Sequence, residues 1–252
     1  MYVFGTGALI ATPQYDASGN ALVNPSPVEF GTLQEVGIDV SFDTKQLYGS
    51  LQFPVAAGRG KGKVTGKAKA ARLNGMLLNS VVFGQTMNFG VVNDVYDTTG
   101  AAIPATPYQI TPTVPGSGTW TRDLGVKDAN GIAYIRVASA PATGQYSVSA
   151  GVYTFAAADT GKTVYISYQY TAASTTAPKI DVMNLPMGYA PSFSIDFYMP
   201  YQGKQLVITA GNVVSNKLSM ATKQDDFMVP EIDFDVYADA NNKILTFALT
   251  DK

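Results

Sequence analysis

The chain has 252 residues, enough to bury one large core or two modest ones, and a hydrophobic content of 46% is ordinary for a globular protein. Its 17 basic and 19 acidic side chains give a formal charge of −2, so nothing global points to a nucleic-acid binder and any cationic role is local. Cys and His are both absent, which excludes disulfides, thiolate nucleophiles, imidazole triads and zinc sites together.

Gly and Pro contribute 24 and 14 residues, Tyr 15 and Phe 12, a profile of short strands and turns that predicts an all-β fold. No apolar run approaches the ~18 residues of a membrane span, and the opening MYVFGTGALIAT lacks the basic flank of a signal peptide. The expectation is a protein made in the cytoplasm that stays soluble, with neither a membrane span nor export.

In chain order, Gly7 to Thr12 reads as a strand, followed by a turn through Asp16 to Asn20 and a Pro-punctuated return through Asn24 to Pro27. From Thr32 to Asp43, Val36, Ile38, Val40 and Phe42 share one face opposite Glu35, Asp39 and Ser41, which predicts a strand with one buried face. Lys45 to Gly58 carries Gly49, Pro54 and Gly58 and reads as a long, partly extended, mobile connection. The stretch Arg59 to Arg72, RGKGKVTGKAKAAR, then holds six of the 17 basic residues, with no acid anywhere between Asp43 and Asp94. At a period of two, Lys61, Lys63, Thr65, Lys67 and Lys69 point one way while Gly62, Val64, Gly66, Ala68 and Ala70 point the other. This is a strand with one cationic face and one face of small residues. Leu73, Met76, Leu77, Ser80 and Val81 recur at helical spacing, predicting one short helix that ends at Gly84.

Near Gly90 the chain becomes Thr-, Ala- and Pro-rich. The organisation expected is a discontinuous body, residues 1–90 and 179–252, interrupted by an inserted small β-sandwich of immunoglobulin-like type over 91–178. The insert's predicted strands are Tyr108 to Thr113, Trp120 to Val126, Ile132 to Ser139, Gln145 to Ser149, Val152 to Ala156 and Thr163 to Ala172. The body resumes with Ser192 to Tyr198, Gln205 to Ala210, Lys217 to Thr222, Glu231 to Ala238 and Lys243 to Thr250. The last two are predicted to form a hairpin about Asp239 to Asn242.

Glu231, Asp233 and Asp235 line one strand face about 7 Å apart, a spacing poorly suited to a hard cation, which draws its oxygens from a curved loop. A solvated or subunit-contacting face is the better reading, and no catalytic, cofactor or metal residues are assigned. The basic strand admits a phosphate contact, but it lacks the interleaved aromatics that stack bases and the GxxxxGK[ST] order of a phosphate loop. It admits equally an ion-pair ladder with the acidic strand, within one chain or between two copies, and composition leaves that choice open.

The run from Phe30 to Gly84, FGTLQEVGIDVSFDTKQLYGSLQFPVAAGRGKGKVTGKAKAARLNGMLLNSVVFG, together with GTGALIAT, resembles the major tail tube proteins of tailed bacteriophages. Asp123 to Thr171 is similar to a β-domain of phage tail and other virion structural proteins. The resemblance implies a tail-tube-type β-sandwich or barrel with one flanking helix. It implies assembly into stacked, hexameric rings that form a conduit for genomic DNA, a location in the virion tail, and contacts with tail terminator, tape measure and baseplate proteins. It also implies an insert on the tube exterior. On this mapping Lys45, Leu47, Tyr48 and Phe53 belong to a docking loop, and Arg59, Lys61, Lys63, Lys67 and Lys69 are subunit-interface candidates. Glu35, Asp39, Glu231, Asp233 and Asp235 are their acidic partners or lumen residues. A capsid decoration or neck protein, and a carbohydrate- or receptor-binding β-module, are the alternatives. An enzyme is not expected, because nothing supplies an activated nucleophile or a tuned acid–base pair.

Overall fold

The computed structural model describes residues 2, 4–72 and 74–250. Strands take 53% of it and helix 6%, so the protein is all-β with a single short helix. None of its described helices is long and apolar enough to cross a membrane. The chain forms two compact units, Met1–Met87 with Ile180–Lys252, and Asn88–Lys179.

The chain opens with β1 (Ala8–Tyr15), β2 (Val28–Glu29), β3 (Leu33–Tyr48) and β4 (Pro54–Ala70), followed by the helix α1 (Gly75–Leu78). Next come β5 (Met87–Phe89), β6 (Val91–Val95), β7 (Ala101–Ala102), β8 (Gln109–Ile110), β9 (Thr119–Asp128) and β10 (Ile135–Arg136). They are followed by β11 (Gln145–Ser149), β12 (Val152–Phe155), β13 (Thr163–Ala172) and β14 (Pro178–Ile180). The last four strands are β15 (Ser192–Tyr201), β16 (Lys204–Ser219), β17 (Glu231–Tyr237) and β18 (Thr246–Thr250).

In the first unit the sheet order is β2-β1-β15-β16-β17-β4-β3, with β18 also on β16. One face is apolar. Leu9, Phe30, Phe193, Ile195, Val213, Ile232 and Phe234 are buried there with Leu77, Leu78 and Val81 of the helical segment. Asn74 caps that segment through its side chain, which accepts from the Met76 N–H, and Gly84 closes it in the left-handed conformation at φ 58°. Four α-helical residues run straight into a wider π turn over Asn79–Phe83, so packing on the sheet, not helical propensity, holds the segment. Met76, expected on the packed face, is exposed, and Leu73 lies outside the described residues.

Several expectations change. Lys45 to Gly58 is not a loose connection but the far part of a hairpin, with Lys45 opposite Gly58 and Tyr48 opposite Pro54. The strands expected at Gln205–Ala210 and Lys217–Thr222 are one strand. β15 on one side and β17 on the other carry it through the turn signal of Gly211 and Asn212. The Asp239 turn forms, its carboxylate accepting from the N–H groups of Asn241 and Lys243, but β18 does not fold back on β17. Both edges of β17 are already taken, by β16 and β4, so the chain continues along β16. The face of Val36, Ile38, Val40 and Phe42 is buried only in part; Val40 and Phe42 are 46% and 45% exposed.

The second unit has two four-stranded sheets. One pairs β10, β11, β12 and β8, and the other pairs β6, β7 and β9 with β13. Val126, Tyr146, Tyr153, Phe155, Val164, Ile166 and Tyr168 fill its core. The strands expected at Tyr108–Thr113 and Ile132–Ser139 shrink to two residues each. Pro107 and Pro112, which have no N–H, bracket the first, and Ile132 and Ile135 of the second point to solvent. Asp123, with its side chain only 4% exposed, accepts from the hydroxyls of Tyr146 and Tyr153 at 2.7 and 3.1 Å. Burial, with Asp123 adding to it, pushes both phenols upward.

Packing at Gly66 gives a direct test of the first unit. A Cβ there would lie 2.2 Å from the ring of Phe234, which is fully buried and cannot retreat. Gly66→Ala is expected to cost about 1–3 kcal/mol in denaturant unfolding; a change within about 0.5 kcal/mol, the range of neutral surface substitutions, would contradict this packing.

Candidate assembly surface

β4 is organised by its two faces. Val64, Gly66, Ala68 and Ala70 are buried, because small side chains let the strand lie flat over Phe234 and its neighbours. The alternate residues therefore face away from the core, and β4 is flanked by β3 and β17, which bring carboxylates on both sides. Lys69 stands opposite Glu35 on one neighbour and Glu231 on the other, and Lys67 stands opposite Asp233.

The lysine Nζ atoms use these positions. Lys69 donates to Glu35 at 2.6 Å and lies 3.4 Å from Glu231. Lys67 pairs with the other oxygen of Glu35. Lys63 lies 3.6 Å from Asp235, whose second oxygen accepts from Asn216 at 2.9 Å. Lys217 of β16 extends the row, 3.0 Å from Asp233 and 3.5 Å from Glu231. The ladder is thus intramolecular. The carboxylates that Lys63, Lys67 and Lys69 meet come from the same chain, the intramolecular one of the two arrangements that composition leaves open. Hydrogen bonds from Lys67 and then Lys69 hold the Glu35 carboxyl at about 2 against its ordinary 4.5. The Glu35 carboxylate in turn raises Lys69, and Asp233 raises Lys217.

Beyond Gly62 the hairpin is different. β17 reaches β4 only from Val64 to Lys69, so from Phe42 and Gly62 outward β3 and β4 pair with each other alone. Both faces of this arm are exposed. Leu47, Tyr48, Leu51, Phe53 and Val55 stand in solvent there, Phe53 at 79% and Leu51 at 77%. The arm's cations are not in the ladder. Arg59 stacks over the Phe42 ring at 4.0 Å, and Lys45 and Lys61 form no ion pair among the described residues. Asp39, opposite Thr65, is likewise exposed and unpaired among the described residues. At the base of the arm, Val40, Phe42 and Val64 with Val236, Ile244 and Phe247 line an open apolar groove of about 490 Å³.

Apart from Asp39, which joins neither, the sequence-derived candidates divide into two sets. Glu35, Glu231, Asp233, Asp235, Lys63, Lys67 and Lys69 meet in the ladder, and Lys45, Leu47, Tyr48, Phe53, Arg59 and Lys61 lie on the arm. Lys217 was missed because cross-strand register, which places it beside Asp233, leaves no trace in local sequence. Leu51 and Val55, in the same segment as Leu47, Tyr48 and Phe53, were not singled out, because neither face of that segment is buried and no alternation marks them.

The ladder has a pH signature. The folded value of Glu35 lies below its unfolded value, so the pairing stabilises the fold above about pH 4.5 and is lost as pH falls through about 2. Denaturant unfolding of wild type should lose stability across that window more steeply than Glu35→Gln; parallel curves would contradict the pairing.

No protein-family model matches the chain, and no curated protein matches it in sequence.

Proposed function

We propose that this protein is a self-assembling structural subunit of the tail-tube kind, and that the β3–β4 arm docks each copy onto a neighbouring copy. One observation carries the reading: a hairpin whose outer part has no third strand and no buried face, yet presents Leu47, Tyr48, Leu51, Phe53 and Val55. An isolated two-stranded ribbon is marginal in water, and a contiguous exposed apolar patch marks an interaction surface. The apolar groove at the arm's base and the unpaired outer edge of β3 offer surfaces for a second copy on the same molecule. Arm and groove are different surfaces, so the contact is heterologous and either closes a ring or propagates. The segment order from Phe30 to Gly84, which resembles tail tube proteins, favours stacked rings and a virion location.

Electron microscopy and sedimentation velocity of the purified protein test this. Wild type is expected to form rings or tubes. Phe53→Asp combined with Leu47→Asp should abolish them and leave the thermal midpoint within a few degrees, because both side chains are solvent-exposed in the single chain. Discrete trimers or a lone ring would favour the decoration or neck alternative, and a monomer at all concentrations would overturn the proposal.

A further inference from the structure

The second unit holds an open pocket of about 560 Å³, inside the range of about 300–1,000 Å³ usual for small-molecule sites. It is lined by the turn between β9 and β10, by the approach to β11 and by the start of β13. A buried acid fixes its framework. Asp159, 0% exposed, accepts from the Gly144 N–H at 2.8 Å and from Lys162 Nζ at 2.7 Å, so it holds a lining backbone group and a lining ammonium at once. Asp128 shapes the β9–β10 turn, one carboxylate oxygen accepting from the N–H groups of Asn130 and Ile132. Tyr134 is braced by a T-shaped contact with Phe155, ring centroids 6.0 Å apart. What these residues present is mixed. Ile132 and Ile135 are 65% and 64% exposed, and with the Tyr134 ring they give the pocket apolar surface. The side chains of Asn130, Tyr134, Thr143 and Thr163 carry donors and acceptors that meet no protein partner among the described residues. Burial, and then Asp159, raise the Tyr134 phenol, so it stays protonated and can donate.

Charge narrows the ligand. Two carboxylates, Asp128 and Asp159, stand against the one ammonium of Lys162, which disfavours an anion. A hard metal ion needs several converging oxygens, and no group of acidic side chains among the described residues supplies them. A purely apolar molecule would strip water from the free hydroxyls and the Asn130 amide without replacing it. A neutral molecule with an apolar face and many hydroxyls meets all three constraints. We propose that this pocket is a binding site for a neutral saccharide, with the apolar face of a sugar ring on Tyr134 and Ile135 and its hydroxyls on Asn130, Thr143, Thr163 and Lys162. The inference rests on the second unit alone and is independent of the tube reading.

Saturation-transfer difference NMR of the full chain tests the site, because the signal is read on sugar protons whether or not the protein assembles. The probes are the neutral trisaccharides maltotriose, cellotriose and triacetylchitotriose, with trigalacturonic acid as the anionic comparator. Transfer is expected to the ring protons of at least one neutral sugar and not to the acid. Tyr134→Phe with Asn130→Ala keeps the aromatic ring but removes a hydroxyl and an amide, and is expected to weaken binding about tenfold, the loss of two hydrogen bonds. Tyr96→Phe, at an exposed tyrosine outside the pocket, should behave as wild type. Should the double variant fold poorly by circular dichroism, Thr143→Arg, at an exposed lining position, is expected to block the pocket and abolish transfer. Two supporting outcomes separate the sources of such a sugar: retention of the protein on the matching insoluble polysaccharide marks a glycan chain, and binding of the free trisaccharide alone marks a soluble sugar. No transfer to any of the neutral sugars, equal transfer to trigalacturonic acid, unchanged affinity in the pocket variants, or an equal loss in Tyr96→Phe would overturn the inference.

Discussion

The flanking of one lysine-bearing strand by two acidic strands is the constraint on which this structure depends. β4 must be small on its inner face, since Gly66 lies against Phe234, and its charged face is compatible with the sheet because β3 and β17 supply Glu35 and Glu231 at the positions facing Lys69. That requirement places β4 between two chain segments far apart in sequence. It also occupies one edge of β17 and so directs β18 onto β16. Strand order in the first unit is in this sense set by charge on one face and by side-chain size on the other.

The same hairpin changes character where β17 stops. Inside the sheet the lysines of β4 are paired and its small residues buried; outside, the hairpin's cations have no ion pair among the described residues and its apolar side chains are exposed. A hairpin stable in isolation would hide its apolar residues, and a solvated spacer would not carry Leu47, Tyr48, Leu51, Phe53 and Val55. The two halves thus suit two partners. The inner half is complete within one chain, and the outer half is completed, in our proposal, by a second copy.

Much of this was legible in the sequence. The period-two split of β4 and the helix ending at Gly84 follow from local spacing, and β11 and β13 fall where alternation places them. Illegible features share a physical cause. Alternation marks a strand only when one face is buried, and residues 44–60 bury neither face, so Gly49, Pro54 and Gly58 looked like loop punctuation when they sit in or beside a paired ribbon. Whether the lysines meet carboxylates of the same chain depends on register, which decides that Lys217 lies beside Asp233 and that Glu35 serves two lysines at once.

Hydrogen exchange at single-residue resolution, compared between the dilute and the assembled protein, tests the two-part hairpin most directly. The account predicts that amides of Val64 to Lys69 are protected in both states, held by β3 and β17, whereas those of residues 44–60 exchange quickly when dilute and gain protection on assembly. An arm already protected in the dilute chain, or one that stays unprotected in the assembly, would contradict it.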